Sequence, residues 1–281
     1  MCSSDLGSHR GPVLRLEDGF LRSVGLGAAL ARPLSWVVDD LGIHYDASRP
    51  SRLEHLLSET RFESDLLVRA RRLRERIVAT GVAKYNLEGV SWSRPPGDVR
   101  VVLVVGQVET DAAVALGATG IRDNASLLAA VRARCPGAHV LYKPHPDVVS
   151  GLRKEGPLER RAFAAADEVV AGVSIQSLFD GVDEVHVISS LAGFEALLRG
   201  KRVVCHGQPF YAGWGLTDDV DPPGRRQRRL SLDELVAGAL ILYPRYLHPR
   251  YGHFIEAERS EEHTSELQSH SDLVCRLLLE K

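Results

Sequence analysis

The sequence predicts an α/β protein built on a parallel, doubly wound sheet, and three observations lead to that prediction. Short, β-branched apolar runs at 101–105, 139–142 and 184–188 are typical of buried strands. Segments with helical spacing of apolar residues follow such runs, as at 124–137 and 189–201. The composition, 44% hydrophobic and 26% charged, is ordinary for a globular protein. Alternation of this kind brings parallel strands side by side, with helices covering them.

The first third of the chain follows a different pattern. We predict a strand in LSWVV (34–38) and, after the turn residues DDLG, a second short strand in IHY (43–45). Ser51 is expected to begin a helix, and residues 60–83 have the spacing of an amphipathic, arginine-rich helix. The Pro/Gly-rich stretch 90–100 is the candidate linker to the part that follows.

From residue 101 onward, strands and helices are expected to alternate. The helix 124–137 has Asn124 as a candidate N-cap, and the helix that starts at 231 opens with the capping box Ser231 and Glu234. The remaining expected elements are a weak strand at 168–172, a helix at 174–182 and a strand at 202–207.

Four boundaries divide the chain. Residues 1–10 and 259–281 have the character of non-native ends, a leader and a tail, and are left out of the fold reasoning. The alternative for the tail is a native amphipathic segment. Residues 11–95 are expected to form a partial N-terminal domain, and residues 96–250 a Rossmann-like nucleotide-binding domain.

Charge and cysteine usage exclude several classes of function. A net charge of −2 provides no overall field that would attract nucleic acid. Apolar runs stay shorter than the ~20 residues of a membrane span. Outside the two ends, Cys135 and Cys205 lack the spacing of a metal site. These features favour a reducing, cytoplasmic location and no disulfide scaffold.

Polar residues follow two of the predicted strands at their carboxyl ends. In a parallel sheet these ends meet at one edge, where ligands collect. Lys143 and His145 come directly after strand 139–142, and Pro146 holds the histidine in a stiff, extended loop. His145 can donate to a phosphate oxygen beside the charge of Lys143. The alternative is a rigid turn with a solvent-exposed histidine.

The segment GQVETD, after strand 101–105, supplies Gln107, Glu109 and Asp111. A carboxylate beside the anomeric carbon of a sugar can act as a nucleophile or a base. Glu109 and Asp111 alternate, so both face the same way in extended backbone. The alternative for Asp111 is a cap on the following helix.

A third strand-to-helix junction carries Ser189 and Ser190. Free N–H groups and the helix dipole favour an anion there, although simple capping explains the serines equally well. Glu195 lies more than one turn into this helix, either within reach of a ribose hydroxyl or as a solvated surface charge.

Aromatic and basic residues mark the last candidate segments. Tyr211 and Trp214 could stack on a sugar ring, with a hydrophobic cluster beneath a loop as the alternative. The run RRQRR (225–229) is either a solvated loop or a contact for an acidic substrate or anionic lipid.

Six segments together resemble those of KpsC/LipA-type capsule polysaccharide export and biosynthesis proteins, which are bacterial β-Kdo glycosyltransferases. The resemblance covers about residues 11–250, and GQVE-x-D with KPHP is more similar to the C-terminal of the two tandem modules in that family. It implies a GT-B-like α/β fold of two Rossmann-like domains with parallel sheets, the N-terminal one incomplete. The segments are EDGFLRSVGLG, PLSWVVDDLGIHYDASRPSRLE, GQVETDAA, YKPHPDV, DEVHVISSLAGFEALLRGK and PFYAGWGLTDD.

The resemblance implies a reaction: Kdo passes from CMP-Kdo, with retention, onto a β-linked oligo-Kdo linker on lysophosphatidylglycerol. Residues 11–95 would face this acceptor and residues 96–250 would bind the CMP-sugar. Asp111 would be the nucleophile, with Glu109 as its competitor or as a supporting acid/base. No metal and no other cofactor is expected. The resemblance further implies Gln107, Lys143, His145, Ser189 and Ser190 as donor ligands. The residues themselves add Pro146, Glu195, Tyr211 and Trp214 as candidate donor ligands.

The implied setting is the cytoplasm, with peripheral contact to the inner face of the cytoplasmic membrane and to capsule assembly proteins, and without nucleic acid. Three alternatives stay open. One is an inverting, sialyltransferase-like CMP-sugar enzyme, which the anomeric configuration of its product would reveal. A UDP-sugar enzyme would differ in nucleotide preference. A non-catalytic module of the capsule assembly complex would bind without turnover.

Overall fold

The structure is a computed structural model that describes residues 11–21, 33–82, 90–149, 157–248 and 251–262. The predicted leader 1–10 and residues 263–281 of the predicted tail lie outside this part of the chain. The described strands are β1 Arg15–Asp18, β2 Ser35–Asp39, β3 Val101–Val105, β4 His139–Lys143, β5 Glu168–Val169, β6 Glu184–Val187, β7 Arg202–Cys205, β8 Asp218–Asp219, β9 Arg245–Leu247 and β10 Phe254–Ile255.

A parallel sheet with the order β5-β4-β3-β6-β7-β8 forms the centre of the molecule. β3 lies in its middle, and all five of its residues are buried. Helices on both faces keep such a strand from water, which is why its sequence is a continuous apolar run. Adjacent β4 and β6 pair with β3 in parallel register. The predicted α/β class with a parallel sheet is therefore confirmed.

A smaller sheet with the order β1-β2-β9-β10 is antiparallel throughout. A parallel sheet was expected in residues 11–95, and the difference arises from the way these strands find their partners. β1 and β2 pair directly, and the other two strands come from residues 245–255, which return to pair with them. On the outer face, Leu16 and Val38 form an exposed cross-strand pair.

Residues 43–45 form no strand, contrary to the prediction. The reason is Asp39, which is buried at the end of β2. Its carboxylate accepts hydrogen bonds from the backbone N–H groups of Gly42 at 2.9 Å and Arg52 at 2.8 Å, and from the Tyr243 hydroxyl at 2.8 Å. These bonds bend the chain into a compact turn that leads to the first helix.

Helix boundaries follow the capping chemistry of the sequence. Ser51 caps the first helix, Gly81 ends the second in the left-handed conformation, and Ser231 with Glu234 forms the predicted capping box. The described helices are α1 Arg52–Glu59, α2 Ser64–Thr80, α3 Ala112–Gly117, α4 Asn124–Arg134, α5 Pro146–Val149, α6 Pro157–Ala165, α7 Ile175–Gly181, α8 Leu191–Leu198 and α9 Leu232–Val236. A π-helical segment, Ala237–Leu242, continues α9.

The prediction that Asn124 caps α4 is wrong. Asp123 is the cap, and its carboxylate accepts from the backbone N–H of Ser126 at 2.8 Å. Asn124 is instead the first helical residue, and its side chain is 1% exposed. Its amide is therefore available for contacts with the loop that follows β3.

One buried apolar cluster joins the first two helices to one face of the parallel sheet. It contains Leu53 and Leu57 of α1 and Leu73 of α2, together with Leu103 and Val203 from one face of the parallel sheet. The opposite face of that sheet has a second cluster, with helices such as α4 packed on it. The division at residues 95 and 96 stays a prediction.

Residues 257–262 are helical and pack beside α2. Arg69 pairs with Glu258 at 2.7 Å, and Arg76 pairs with the fully buried Glu261 at 2.7 Å. The first residues of the predicted tail, 259–262, thus pack against the folded part of the protein. Across the described residues, no helix combines the length and apolarity that crossing a bilayer requires.

Candidate functional site

A pocket of about 620 Å³ lies at the carboxyl ends of β3, β4 and β6 and is closed on the other side by residues that flank β1 and β2. Its volume suits a ligand of nucleotide-sugar size, since ligand pockets usually span ~300–1,000 Å³. The predicted site residues that line it are Gln107, Asp111, Lys143, His145, Pro146, Ser189, Ser190 and Glu195.

Lys143 ends β4, and only 8% of it is exposed. Its ammonium donates to the backbone carbonyls of Val170 at 3.3 Å and Ala171 at 3.2 Å. Burial lowers the pKa of Lys143 to about 8, because the charged form loses hydration. The side chain is thus a cation at neutral pH, held in place beside the pocket.

His145 is fixed by the turn that begins α5. Its Nδ1 accepts a hydrogen bond from the backbone N–H of Asp147 at 3.1 Å. A ring nitrogen that accepts carries no proton, so neutral His145 carries its proton on Nε2. The histidine can therefore act as a hydrogen-bond donor through Nε2, the role that a phosphate oxygen requires.

Asp111 and Glu109 differ in their surroundings. Asp111 caps α3, where its carboxylate accepts from the backbone N–H of Ala113 at 3.0 Å, and it also lines the pocket. Glu109 accepts from the backbone N–H of Asn124 at 3.0 Å. It is not among the described residues that line the pocket. Of the two predicted carboxylates, only Asp111 combines a capping bond with access to a ligand.

Gln107 connects β3 with the end of β6. Its side-chain amide accepts from the backbone N–H of Ser189 at 2.8 Å and donates to the Ser189 hydroxyl at 3.2 Å. That hydroxyl in turn donates to the backbone carbonyl of Ala113 at 2.8 Å. Both side chains line the pocket, and the hydrogen bonds between them hold this part of its lining in place.

Ser190 caps α8 by accepting from the backbone N–H of Ala192 at 3.3 Å. The N-terminus of this eight-residue helix lies at the pocket, where its dipole favours an anion. Glu195 lies on the same helix, is 8% exposed, and also lines the pocket. Capping and pocket lining are therefore combined at this junction.

The prediction that Tyr211 and Trp214 stack on a sugar ring is wrong, because both side chains are fully buried. Tyr211 packs beneath α8 and its hydroxyl donates to the backbone carbonyl of Ser190. Trp214 donates from Nε1 to the backbone carbonyl of Phe210 at 2.7 Å. Both polar atoms are satisfied inside the protein, so the alternative, a hydrophobic cluster beneath a loop, describes them.

The arginines at 225–229 have mainly internal partners. Arg225 and Arg226 both pair with Glu54 of α1, and Arg228 pairs with Glu234 at 2.9 Å. The alternative readings, a solvated loop or a lipid contact, do not describe these three side chains, because their guanidinium groups bind neighbouring parts of the chain.

Sequence reasoning missed the wall that faces the strand ends. Glu17 and Asp18 of β1, Phe20, His44 and Tyr45 all line the pocket. Burial raises the pKa of the Tyr45 hydroxyl, and the charges of Glu17 and Asp111 raise it further. Tyr45 thus lies within electrostatic range of carboxylates on both walls and stays protonated as a donor. The segment EDGF was a visible signal, but its place opposite β3 depends on long-range packing.

An aromatic group supports this second wall. The ring of Phe20 stacks on Phe210 with centroids 4.5 Å apart and meets His44 edge-on at 4.8 Å. Phe20 and Phe210 are both buried, so these aromatic contacts pack the second wall against the core.

A buried group of potential metal ligands lies beside β6. It consists of Cys135, Glu184 and His186, whose ligand-type atoms are within 4.8 Å of one another. Glu184 already pairs with Arg100, with Arg202 at 2.9 Å and with His186 at 2.6 Å. Two arginine cations beside the carboxylate oppose a metal cation. The cluster is an ion-pair network, separate from the pocket.

A family model described as capsule polysaccharide biosynthesis protein matches residues 7–86 and 76–246. Among curated proteins, the chain is 47% identical over 254 residues to the capsule polysaccharide modification protein LipA of Neisseria meningitidis serogroup A, covering 90% of this chain and 36% of LipA. It is 48% identical over 253 residues to the lipopolysaccharide-processing protein LpsZ of Rhizobium meliloti, covering 89% of this chain and 58% of LpsZ. The chain thus spans only part of the length of these relatives.

Two solved structures from Thermosulfurimonas dismutans are similar to the whole arrangement. One is KpsC, beta Kdo 2,7 transferase, with a TM-score of 0.79 and 40% identity, covering 94% of this chain and 81% of that chain. The other is KpsC, beta Kdo 2,4 transferase, with a TM-score of 0.81 and 38% identity, covering 93% of this chain and 82% of that chain. The likeness confirms the GT-B-like α/β fold class.

Proposed function

Because the chain belongs to the capsule polysaccharide biosynthesis protein family, we propose that it is a glycosyltransferase that transfers Kdo during capsule synthesis. One observation carries the proposal: Lys143, His145 and the α8 N-terminus line the same pocket as the carboxylate of Asp111. Cationic and N–H donors suit an anionic donor substrate, and the carboxylate suits attack on its sugar. Likeness to KpsC Kdo transferases at 40% and 38% identity supports the same reaction class.

The donor in this proposal is CMP-Kdo, which carries a phosphate and a sugar carboxylate. Lys143 and Nε2 of His145 hold the phosphate, and the α8 N-terminus with Ser190 takes the second anion. A single nucleotide phosphate is balanced by these protein groups, so the proposal includes no metal and no other cofactor.

The proposed chemistry is a double displacement with retention. A carboxylate oxygen of Asp111 attacks the anomeric carbon as the bond to the phosphate oxygen breaks, and the bonding electrons leave with CMP. Lys143 and His145 stabilise the charge that develops on the leaving phosphate. An acceptor hydroxyl then attacks the same carbon, and Asp111 is released as a carboxylate.

The second step needs a base for the proton of the acceptor hydroxyl. Glu17 and Asp18 line the pocket on the wall opposite Asp111, which suits that role. Glu109, the expected acid/base, is engaged by the backbone of α4, and the proposal therefore gives it no chemical step. The proposed acceptor is a β-linked oligo-Kdo chain on a phospholipid, reached from the cytoplasmic side of the membrane.

Two other functions use the same pocket. An inverting CMP-sugar transferase would use a carboxylate as base and would give a product of opposite anomeric configuration. A non-catalytic module of the capsule assembly complex would bind the nucleotide or acceptor without turnover. The buried cation at Lys143 and the carboxylate at Asp111 favour the transferase, because binding alone does not require both.

Nucleotide binding provides the first test. We expect calorimetric titration to show selective binding of CMP over UDP and GMP, with His145→Ala weakening the affinity by about tenfold or more because a charge-assisted hydrogen bond is lost. The matched control is His55→Ala on the exposed surface of α1, which should bind like the unmodified protein. Equal binding of all three nucleotides, or an unchanged affinity in the His145 variant, would contradict the proposed donor site.

Covalent trapping tests the mechanism separately. Incubation with CMP-Kdo should add one Kdo residue to the peptide that carries Asp111, measured by mass spectrometry. Asp111→Asn retains an oxygen that can cap α3, so the variant should fold and bind CMP while transfer falls by roughly a thousandfold or more. Undiminished transfer in this variant would exclude Asp111 as the nucleophile.

A further inference from the structure

We infer that Asn124 is a positioning residue for the pocket: its side chain fixes the backbone that presents Gln107 and Asp111. The inference rests on the proposed function for its kinetic part only. Asn124 is 1% exposed, begins α4, and is not among the described residues that line the pocket. It therefore acts through its neighbours rather than on the substrate.

The Asn124 side chain pairs with both backbone groups of a single residue, Gln107, as a neighbouring strand would. Its Oδ1 accepts from the backbone N–H of Gln107 at 3.0 Å, and its Nδ2 donates to the backbone carbonyl of Gln107 at 2.9 Å. Only a side chain with one acceptor and one donor at this spacing can make both bonds, and asparagine has that geometry. The backbone N–H and the backbone carbonyl of Gln107 therefore both have a hydrogen-bond partner within the protein interior.

The same residue holds the loop at a second point. The backbone N–H of Asn124 donates to the Glu109 carboxylate at 3.0 Å, and the backbone N–H of Asp111 donates to the carbonyl of Val108 at 2.9 Å. The loop from the end of β3 to Asp111 is thus bound at 107 and at 109 and closes on itself. Glu109, an expected catalytic residue, has a structural part in this arrangement.

The Gln107 side chain extends the effect to the end of β6. The Ser189 hydroxyl donates to Ala113, so it must accept from the Gln107 Nε2, and the Gln107 Oε1 must accept from the Ser189 backbone N–H. The orientation of the Gln107 amide is therefore determined. A shift in the Gln107 backbone would therefore move Ser189 and Asp111 together, and both lie on the strand-end side of the pocket.

The test compares Asn124→Asp with Asp123→Ala. The aspartate variant keeps the acceptor for the Gln107 N–H but loses the donor to its carbonyl, because an ionised carboxylate cannot donate. The alanine variant removes the α4 cap and should weaken the start of that helix, without removing a bond to the loop. It controls for any general weakening of α4. A second variant, Asn124→Ser, removes both bonds without adding charge.

Hydrogen exchange gives the structural readout. We expect faster exchange in peptides covering 106–113 and 188–192 for both Asn124 variants, and unchanged exchange there for Asp123→Ala. If Asn124→Asp leaves exchange in these peptides as it is in the unmodified protein, Asn124 does not hold the loop and the inference is overturned, whatever the protein's activity.

Kinetics give the functional readout. With CMP-Kdo as donor, Asn124→Asp should lower kcat by about 10- to 100-fold, because misplaced reacting groups lose rate, while the Kd for CMP stays within about twofold. The ratio of its kcat to that of the unmodified protein should rise as pH falls, because the introduced carboxyl can donate a hydrogen bond again once it is protonated. A kcat equal to that of Asp123→Ala would overturn the positioning role. If the unmodified protein transfers no Kdo, the proposed function fails, and hydrogen exchange alone then decides the role of Asn124.

Discussion

Lys143 is a buried cation, and its burial brings the pH at which it loses its charge closer to neutrality. Its ammonium donates to the backbone carbonyls of Val170 and Ala171, but burial removes most of its hydration and lowers its pKa to about 8. An anion bound in the pocket would raise that pKa again, since it favours the ammonium form. The strength of anion binding therefore depends on pH in a range where the nucleotide phosphate itself no longer titrates.

We expect the affinity for CMP to fall as pH rises from 7 to 9. Below a pKa of about 8 the Lys143 ammonium is present and above it the neutral amine dominates, so affinity is lost on the alkaline side. The affinity for CMP can fall by at most about tenfold per pH unit through this one titration. Calorimetry at pH 7, 8 and 9 measures the change. Lys143→Arg keeps its charge throughout and should show a flat profile. An equally flat profile for the unmodified protein would show that Lys143 does not bind the anion.

At the scale of elements, α1 is joined to the loop that follows β8 by two arginines. Glu54 of α1 is buried and pairs with Arg225 and, at 2.8 Å, with Arg226. Arg226 is 7% exposed, donates to the carbonyl of Ala212 at 2.9 Å and lies 5.7 Å from the Trp214 ring centroid. The loop therefore connects α1 to the core beneath the pocket.

Glu54→Gln should destabilise the protein by about 3 kcal/mol or more, because a buried Arg226 would lose its counter-charge. Urea unfolding measures the difference. The control is Glu59→Gln at the exposed end of the same helix, which should change stability by less than about 0.5 kcal/mol. Equal effects of the two substitutions would mean that the arginines find other partners.

At the scale of the whole molecule, a chain of three buried polar side chains links β6 to the end of β7 inside the parallel sheet. Glu184 bonds to His186 at 2.6 Å, and His186 bonds to His206 at 3.0 Å. The carboxylate can only accept, so His186 is protonated on Nε2 and His206 donates from its own Nε2. The neighbours of this chain are the charged side chains of Arg100, Arg134 and Arg202 and the neutral Cys135 thiol.

Acid should weaken the fold before the carboxylates titrate. Burial lowers the pKa of both His186 and His206 to about 4 from the ordinary 6.5. Between these values the unfolded state binds more protons than the folded state, so stability is present above pH 6.5 and is lost as pH falls. The loss approaches 1.4 kcal/mol per pH unit for each histidine.

Urea unfolding at pH 7, 6 and 5 checks this dependence, because most carboxylates stay ionised over that range. His206→Gln removes one of the two titrating groups and should reduce the slope by about half. A stability that does not change between pH 7 and 5 would contradict neutral, buried histidines in the folded protein.

Local patterns in the sequence predict β3, whose burial on both faces makes it continuously apolar, and also β4 and β6, whose apolar residues are interrupted by polar ones. The same reasoning finds Lys143 and Ser189, since the carboxyl end of a strand is a local feature. The wall with Glu17 and the internal position of Trp214 could not be found in this way. Whether a loop side chain faces a ligand or the core depends on which distant segments pack against it.

The antiparallel sheet imposes an order on how the chain assembles. β2 pairs with β9 through Ser35 and Tyr246, about two hundred residues apart in the sequence. On a ribosome that adds roughly 5–20 residues each second, β2 therefore waits about ten seconds or more for its partner β9. During that interval the apolar edge of β2 stays open to other chains.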